Sequence, residues 1–168
     1  MMISYQELVR TFLNGVPTGT TYTIGFTNSL SSYGLNNSGG TVITLKDEKV
    51  FNGFQNALWR AVGIRILINT LKNLDEGEKI NIGNFIVDDA GVTLLKHKLF
   101  GSIERVRLGW FDVVVSSNNG EFIIRSKHDK KIYSSASYIN DWNTHIIEMI
   151  IRGAFDKGVR NLSDFMKD

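Results

Sequence analysis

Hydrophobic and polar positions change period several times along the chain, and each change predicts an element. Over residues 4–13, Tyr5, Leu8, Phe12 and Leu13 fall at helical spacing. Ser4 with Glu7 makes a capping box there and Asn14-Gly15 supplies a stop, which predicts an N-terminal helix. Residues 20–27 alternate apolar and polar with period two, as a half-buried strand does. Residues 29–40 are rich in Ser, Asn and Gly and read as a long loop, and 41–45 resume strand character, so the two strands are expected to pair around it. The longest helical pattern is 52–74, where Phe54, Leu58, Ala61, Ile64, Ile68 and Leu71 keep three- and four-residue steps. Trp59, Val62 and Leu67 widen its apolar surface, which implies cover from more than one side, by a sheet, another helix or a second copy of the chain.

From Lys79 onward the pattern becomes short period-two runs separated by turn signals. The runs are 80–87, 92–95, 103–108, 110–115, 121–126 and 131–135. Asn118-Asn119-Gly120 is the strongest hairpin signal, because Asn and Gly tolerate the positive φ of a tight turn. Consecutive strands with short connections predict an antiparallel meander. Residues 140–155 then form an amphipathic helix, with Trp142, Ile146, Met149, Ile150 and Ala154 near one stripe. The expected divisions are an N-terminal unit at 1–78 packed on the rest, a barrel with its closing helix at 79–158, and a short tail at 159–168. Trp110, Phe122, Ile124, Ile146 and Ile150 are expected to share one core.

Composition narrows the class. With 168 residues, 42% hydrophobic and 21% charged, the chain has enough apolar content for a core and is neither disordered nor collagen-like. Zero cysteines exclude disulfides, thiolate metal sites and cysteine catalysis. The start of the chain lacks a basic segment followed by an apolar run, and 54–74 carries Arg60, Arg65, Asn69 and Lys72, so neither a signal peptide nor a membrane span is expected. These features point to the cytoplasm.

Several segments carry the wording of one family. They are Asp89-Ala90-Gly91-Val92-Thr93-Leu94, Lys98-Leu99-Phe100-Gly101, Trp110-Phe111-Asp112-Val113, and Asn119-Gly120-Glu121-Phe122-Ile123-Ile124 with Lys127-His128-Asp129-Lys130. Ser137 to His145 then leads into the last helix. Over residues 79–157 the chain resembles small bacterial pleckstrin-homology-like (PH-like) domains. The resemblance implies an α+β fold in which an antiparallel meander forms a barrel closed by a C-terminal helix, here with an N-terminal helix–hairpin–helix extension. It also implies a binding role, by analogy of fold.

Candidate chemistry is sparse. Residues 15–21 echo a phosphate-binding loop but contain no lysine to reach terminal phosphates, so a turn is expected. His97, His128 and His145 form no His-x-x-x-His pair, and neither a metal nor a cofactor is expected. Adjacent Asp88 and Asp89 would face opposite sides of a strand and read as a turn pair. Asp141 and His145 are four apart on one expected helical face, which suits a carboxylate orienting an imidazole. They are the only candidates for the competing reading, a small hydrolase or transferase.

Charge is uneven. Residues 92–131 hold eight cations against four carboxylates, +4, while the rest of the chain carries −2. Arg105 and Arg107 share a strand face, and with Lys96 and Lys98 across a short turn they are expected to converge at one barrel mouth. This resembles the basic first-hairpin arrangement with which some PH domains hold anionic headgroups; the plain alternative is a solvated strand face. Lys127 to Lys131 gather further cations near Tyr133, Tyr138 and Trp142, but a net charge of +2 is low for nucleic acid. The leading expectation is a noncatalytic binding or scaffolding module for a protein partner or an anionic surface, with homo-oligomers allowed.

Overall fold

In the computed structural model, which describes residues 2–13, 16–27, 41–97 and 103–167, the chain opens with two long antiparallel strands, β1 (Met2–Leu13) and β2 (Val16–Thr27). Among these residues, side chains are described at 3, 20–26, 41–97 and 103–167. The expected N-terminal helix at 4–13 is therefore corrected to a strand. The apolar positions Tyr5, Leu8, Val9, Phe12 and Leu13 do follow a helical period, but pairing with β2 overrides it, and Leu13 pairs with Val16 across Asn14-Gly15, a dipeptide that serves a two-residue hairpin as well as a helix stop. Strand β3 (Thr41–Leu45) pairs antiparallel with β2 from Tyr22 to Phe26, as expected for the strands flanking the long polar segment. Pro17 lies in the part of β2 beyond the β3 pairing, where a missing N–H costs no bond to that neighbour. The loop expected at 29–40 and the turn at 98–101, with Lys98, lie outside the described residues.

The long helix is continuous but not uniform. Helix α1 (Glu48–Leu58) starts at Asp47, whose carboxylate accepts from Val50 N at 3.0 Å, and passes through a π turn (Trp59–Gly63) into α2 (Ile64–Asp75). The π turn holds the Trp59 indole against Gly63, where any Cβ would meet the ring. An extra residue in a turn rotates everything after it, so the buried stripe of α2 is Leu67, Leu71 and Leu74. The stripe expected from sequence sits about a quarter turn away. Leu71 is buried as expected and Leu58 partly so, but Ile64 and Ile68 stand 45% and 49% exposed, so of the expected covers neither sheet nor hairpin encloses them within one chain.

Strands β4 (Ile80–Ile82), β5 (Phe85–Asp88), β6 (Gly91–Lys96) and β7 (Glu104–Gly109) form one antiparallel sheet in chain order. A short 3-10 turn at Trp110–Asp112 leads into β8 (Val113–Asn118), β9 (Glu121–Ser126) and β10 (Tyr133–Ser137), a second such sheet. The β8–β9 hairpin turns through Asn119 and Gly120 with φ of 50° and 78°, the positive values that this dipeptide tolerates. The two sheets are not closed into a barrel. Among the described residues their strand-level link is one isolated bridge, Lys96 with Ile132, beside single backbone bonds such as Asn84 N to Ser135 O at 3.1 Å.

Helix α3 (Thr144–Lys157) packs on the main core through Ile146, Ile147, Ile150, Ile151 and Ala154. It starts later than the expected 140, because Asn143 is left-handed (φ 62°) and breaks the helical path. Asn143 also ties the chain's beginning to its end, accepting from Ile3 N at 2.9 Å while its own N–H reaches Ile3 O at 2.8 Å. Trp110, Phe122, Ile124, Ile146 and Ile150 belong to one buried cluster as expected, joined by Ile3 and the α2 stripe. Full burial of such a side chain is worth about 1.5–3 kcal/mol. The tail is not loose either, since a 3-10 turn at Leu162–Met166 buries Leu162 fully in that cluster. The chain is thus an α+β protein with three antiparallel sheets and a C-terminal helix.

Candidate functional site

The antiparallel register of β6 and β7 decides where the expected cationic quartet lies. Directly opposed residues share a face, and Lys96 opposes Glu104 on the face that carries buried Val92 and Leu94. Arg105 and Arg107 oppose Leu95 and Thr93 on the other face. The two arginines do share a face, but Lys96 does not join them. Arg107 is also committed, donating to Asp88 through Nε at 2.8 Å and Nη2 at 2.7 Å. Burial alone would raise the Asp88 carboxyl, yet the Arg107 guanidinium, helped by the Ala90 N–H and Lys79, holds the group below its usual value. Lys96 Nζ sits 3.2 Å from Asp129. The expected convergence at one mouth is therefore corrected for these three, and Lys98 is not described.

A different cationic site emerges on the outer face of the second sheet. Alternation buries Phe122, Ile124 and Ser126 of β9 and turns Ile123 and Arg125 outward. Arg125 lies in register between Val114 of β8 and Tyr133 of β10. The turn after β9 adds Lys127 and Lys130, and its own bonds fix it. Ser126 Oγ accepts from His128 N and Asp129 N at 3.1 and 3.2 Å, and Asp129 Oδ1 accepts from Lys131 N at 2.9 Å. Asp129 is the turn's one carboxylate; the Lys131 N–H first, then Lys96, lower its pKa, and it does not line the groove.

The result is a groove of about 680 Å³ lined by Arg125, Lys127, Lys130 and Tyr133 over a floor of Val114 and Ile123. Among the described residues no carboxylate lines it. Tyr133 is 42% exposed and is held by His97, stacked on its ring at 4.1 Å between centroids. Lys127 Nζ donates to Phe111 O at 2.7 Å, which fixes that ammonium at one end. The Lys127–Lys131 cluster beside Tyr133 is visible in the sequence. That Arg125 faces the same way, and that Asp129 faces elsewhere, follows only from the register and the turn.

The catalytic candidates lie apart. Asp141 precedes α3 instead of sharing a helical face with His145, and its Oδ2 accepts from Ser137 N at 2.7 Å as a turn closure. Burial pushes its carboxyl up, offset in part by that N–H. His145 is half-buried with its ring stacked on Tyr138 at 4.3 Å. Neither lines this groove or the apolar one beside it at Trp110 and Phe155.

Next to them is a polar network that sequence reading missed. Tyr138 Oη donates to Glu148 Oε2 at 2.7 Å, Ser117 Oγ to Glu148 Oε1 at 2.6 Å, and Arg152 bonds both Glu148 and Ser117 at 2.8 and 2.9 Å. Burial would raise the Glu148 carboxyl, but the bonds from Ser117, Tyr138 and Arg152 hold it below its ordinary value. Burial and the neighbouring carboxylate push the Tyr138 hydroxyl well up, so it stays protonated. The Glu148–Arg152 pair alone was legible, as an i,i+4 spacing.

Among the described residues no group of three His, Cys, Asp or Glu side chains gathers as a metal site, and no helix is long and apolar enough to cross a membrane. Compared with protein-family models, curated proteins and solved structures, the chain matches none.

Proposed function

We propose that the protein is a noncatalytic binding module that recognises an anionic ligand or surface through the groove of Arg125, Lys127, Lys130 and Tyr133. One observation carries this reading: three cations surround a concave, apolar-floored groove that no carboxylate lines among the described residues. Arg125 and Lys130 have no carboxylate partner among the described residues, so their charge remains available to a ligand. Like charges held on a rigid turn and strand focus a positive potential that an anion relieves. Tyr133, held by His97, adds a flat face beside them. The PH-like reading belongs to the same proposal. Consecutive antiparallel strands ending in a packed helix support it, while the site proposed here lies on the second sheet instead of the hairpin that the resemblance implies.

Retention of the full chain on heparin tests the function. Wild type should bind and elute with salt, because the Debye length shrinks to about 8 Å at 0.15 M and screens exposed charges. Arg125→Glu with Lys130→Glu should remove retention, and Arg105→Glu with Arg107→Glu should leave most of it. The reverse outcome moves the site to β7, and a wild type that never binds ends the anionic reading.

A further inference from the structure

A second groove adjoins the cationic one. Its volume is about 390 Å³, and its walls are Trp110, Phe111, Val113, Val115, Phe155 and Val159, along β8 and the end of α3. Val114 and Lys127 line both grooves, which therefore meet around β8, an edge strand whose Val113 and Val115 face the other side from Val114. Among the described residues Lys127 is the only charged side chain in the apolar wall.

That wall is preformed. Trp110 is buried, its Nε1 donates to Asp89 O at 2.9 Å, and its ring meets Phe155 edge-on at 6.2 Å. Gly158, left-handed at φ 66°, ends α3 at the channel with no side chain to fill it. Phe111 stands 59% exposed on the rim.

We infer that this joined site takes a monomeric, single-chain anionic amphiphile, with its alkyl chain in the channel beside Trp110 and its phosphate or carboxylate head against Lys127, Arg125 and Lys130. The head assignment rests on the anionic function proposed above; the tail assignment is new. Size limits the tail. A channel of 390 Å³ holds about a dozen groups of about 30 Å³, the liquid share of a water and close to the volume of a methylene. One chain of about ten to twelve carbons fills that volume. The volume also lies within the roughly 300–1,000 Å³ of small-molecule sites, and an apolar wall with one placed charge is their usual chemistry.

The test is calorimetric titration of the full chain with inorganic phosphate and with hexyl, octyl, decyl and dodecyl phosphate, each below its micelle concentration. Affinity should rise about fourfold per methylene and level off near the decyl or dodecyl chain. Phe111→Ser, at an exposed position, and Val159→Asp should flatten that rise while inorganic phosphate binds as before. Arg125→Glu with Lys130→Glu should weaken every phosphate by a similar factor and keep the rise.

A flat series in wild type, with inorganic phosphate still bound, overturns the amphiphile and leaves the anionic function standing. Decyl maltoside binding as tightly as decyl phosphate, with the charge reversals silent, overturns the anionic function and the head assignment together. Cosedimentation with phosphatidylglycerol–phosphatidylcholine vesicles without any binding of monomeric alkyl phosphate overturns the inference in favour of a bilayer surface.

Discussion

Removing the Asp89 carboxylate tests how the last turn of the chain is held. Asp89 Oδ1 accepts from Ser163 N at 2.7 Å and Oδ2 from Ser163 Oγ at 3.1 Å. Its backbone carbonyl, which survives substitution, accepts from Trp110 Nε1 and Leu162 N, both at 2.9 Å. Asp89→Ala therefore removes two of four bonds and strands the amide of Ser163, a residue only 6% exposed. Each lost bond is worth about 1 kcal/mol net, and a stranded buried donor costs about 1–3 kcal/mol, so the expected loss is about 2–3 kcal/mol. With a urea m-value of about 2–3 kcal/mol/M for a chain of this size, the midpoint should fall by about 1 M. Asp89→Asn keeps an acceptor for the amide and should lose about half as much. A double-mutant cycle with Ser163→Ala isolates the hydroxyl bond. A midpoint for Asp89→Ala within about 0.2 M of wild type, with unchanged exchange at the Ser163 amide, would refute the reasoning. Packing of Leu162 and Phe165 would then be what holds the turn.

Ile124→Ala, at a fully buried site in the shared core, should cost about 2–5 kcal/mol in chemical denaturation, and an unchanged midpoint would put the β9 register in error. The Glu148 carboxyl is lowered in the folded state, so its contribution is complete above the unfolded carboxylate range, about 4.3, and is lost as pH falls through the lower folded value. Glu148→Gln should flatten that acid limb of the stability–pH curve, and an unaltered limb would count against the network. A double-mutant cycle on Asp88 and Arg107 should give about 0.5–1 kcal/mol at low salt and less at high salt, since the arginine is half exposed; a salt-independent value would contradict a surface pair.

What could be read from the sequence was the second half of the fold, where local signals agree. The Asn119-Gly120 turn, the alternation through Phe122 and Ile124 and the stripe through Ile146 and Ile150 all point to one register. The N-terminal segment misled because the apolar positions of residues 4–13 follow a helical period, which pairing with β2, ten partners long, overrides. Ile64 and Ile68 misled for a different reason: nothing in the local pattern announces a π turn at Trp59–Gly63. At the site, cation content was visible but direction was not. Lys96 and Arg105 are close in sequence yet lie on opposite faces, whereas Arg125 and Lys130 converge through a turn that Ser126 and Asp129 organise.

The reciprocal bonds between Ile3 and Asn143 span 140 positions, and they order events during synthesis. The inner end of β1 has no partner on α3 until residue 143 has left the ribosome. Closing so long a loop early carries an entropic cost that little else repays until α3 and the second sheet have formed. The nascent chain therefore cannot complete the burial of Ile3 and the Leu67–Leu71–Leu74 face until α3 has emerged, an interval in which exposed apolar surface recruits chaperones or neighbours. In refolding, pulse-labelled hydrogen exchange should find the Ile3 amide among the last to gain protection.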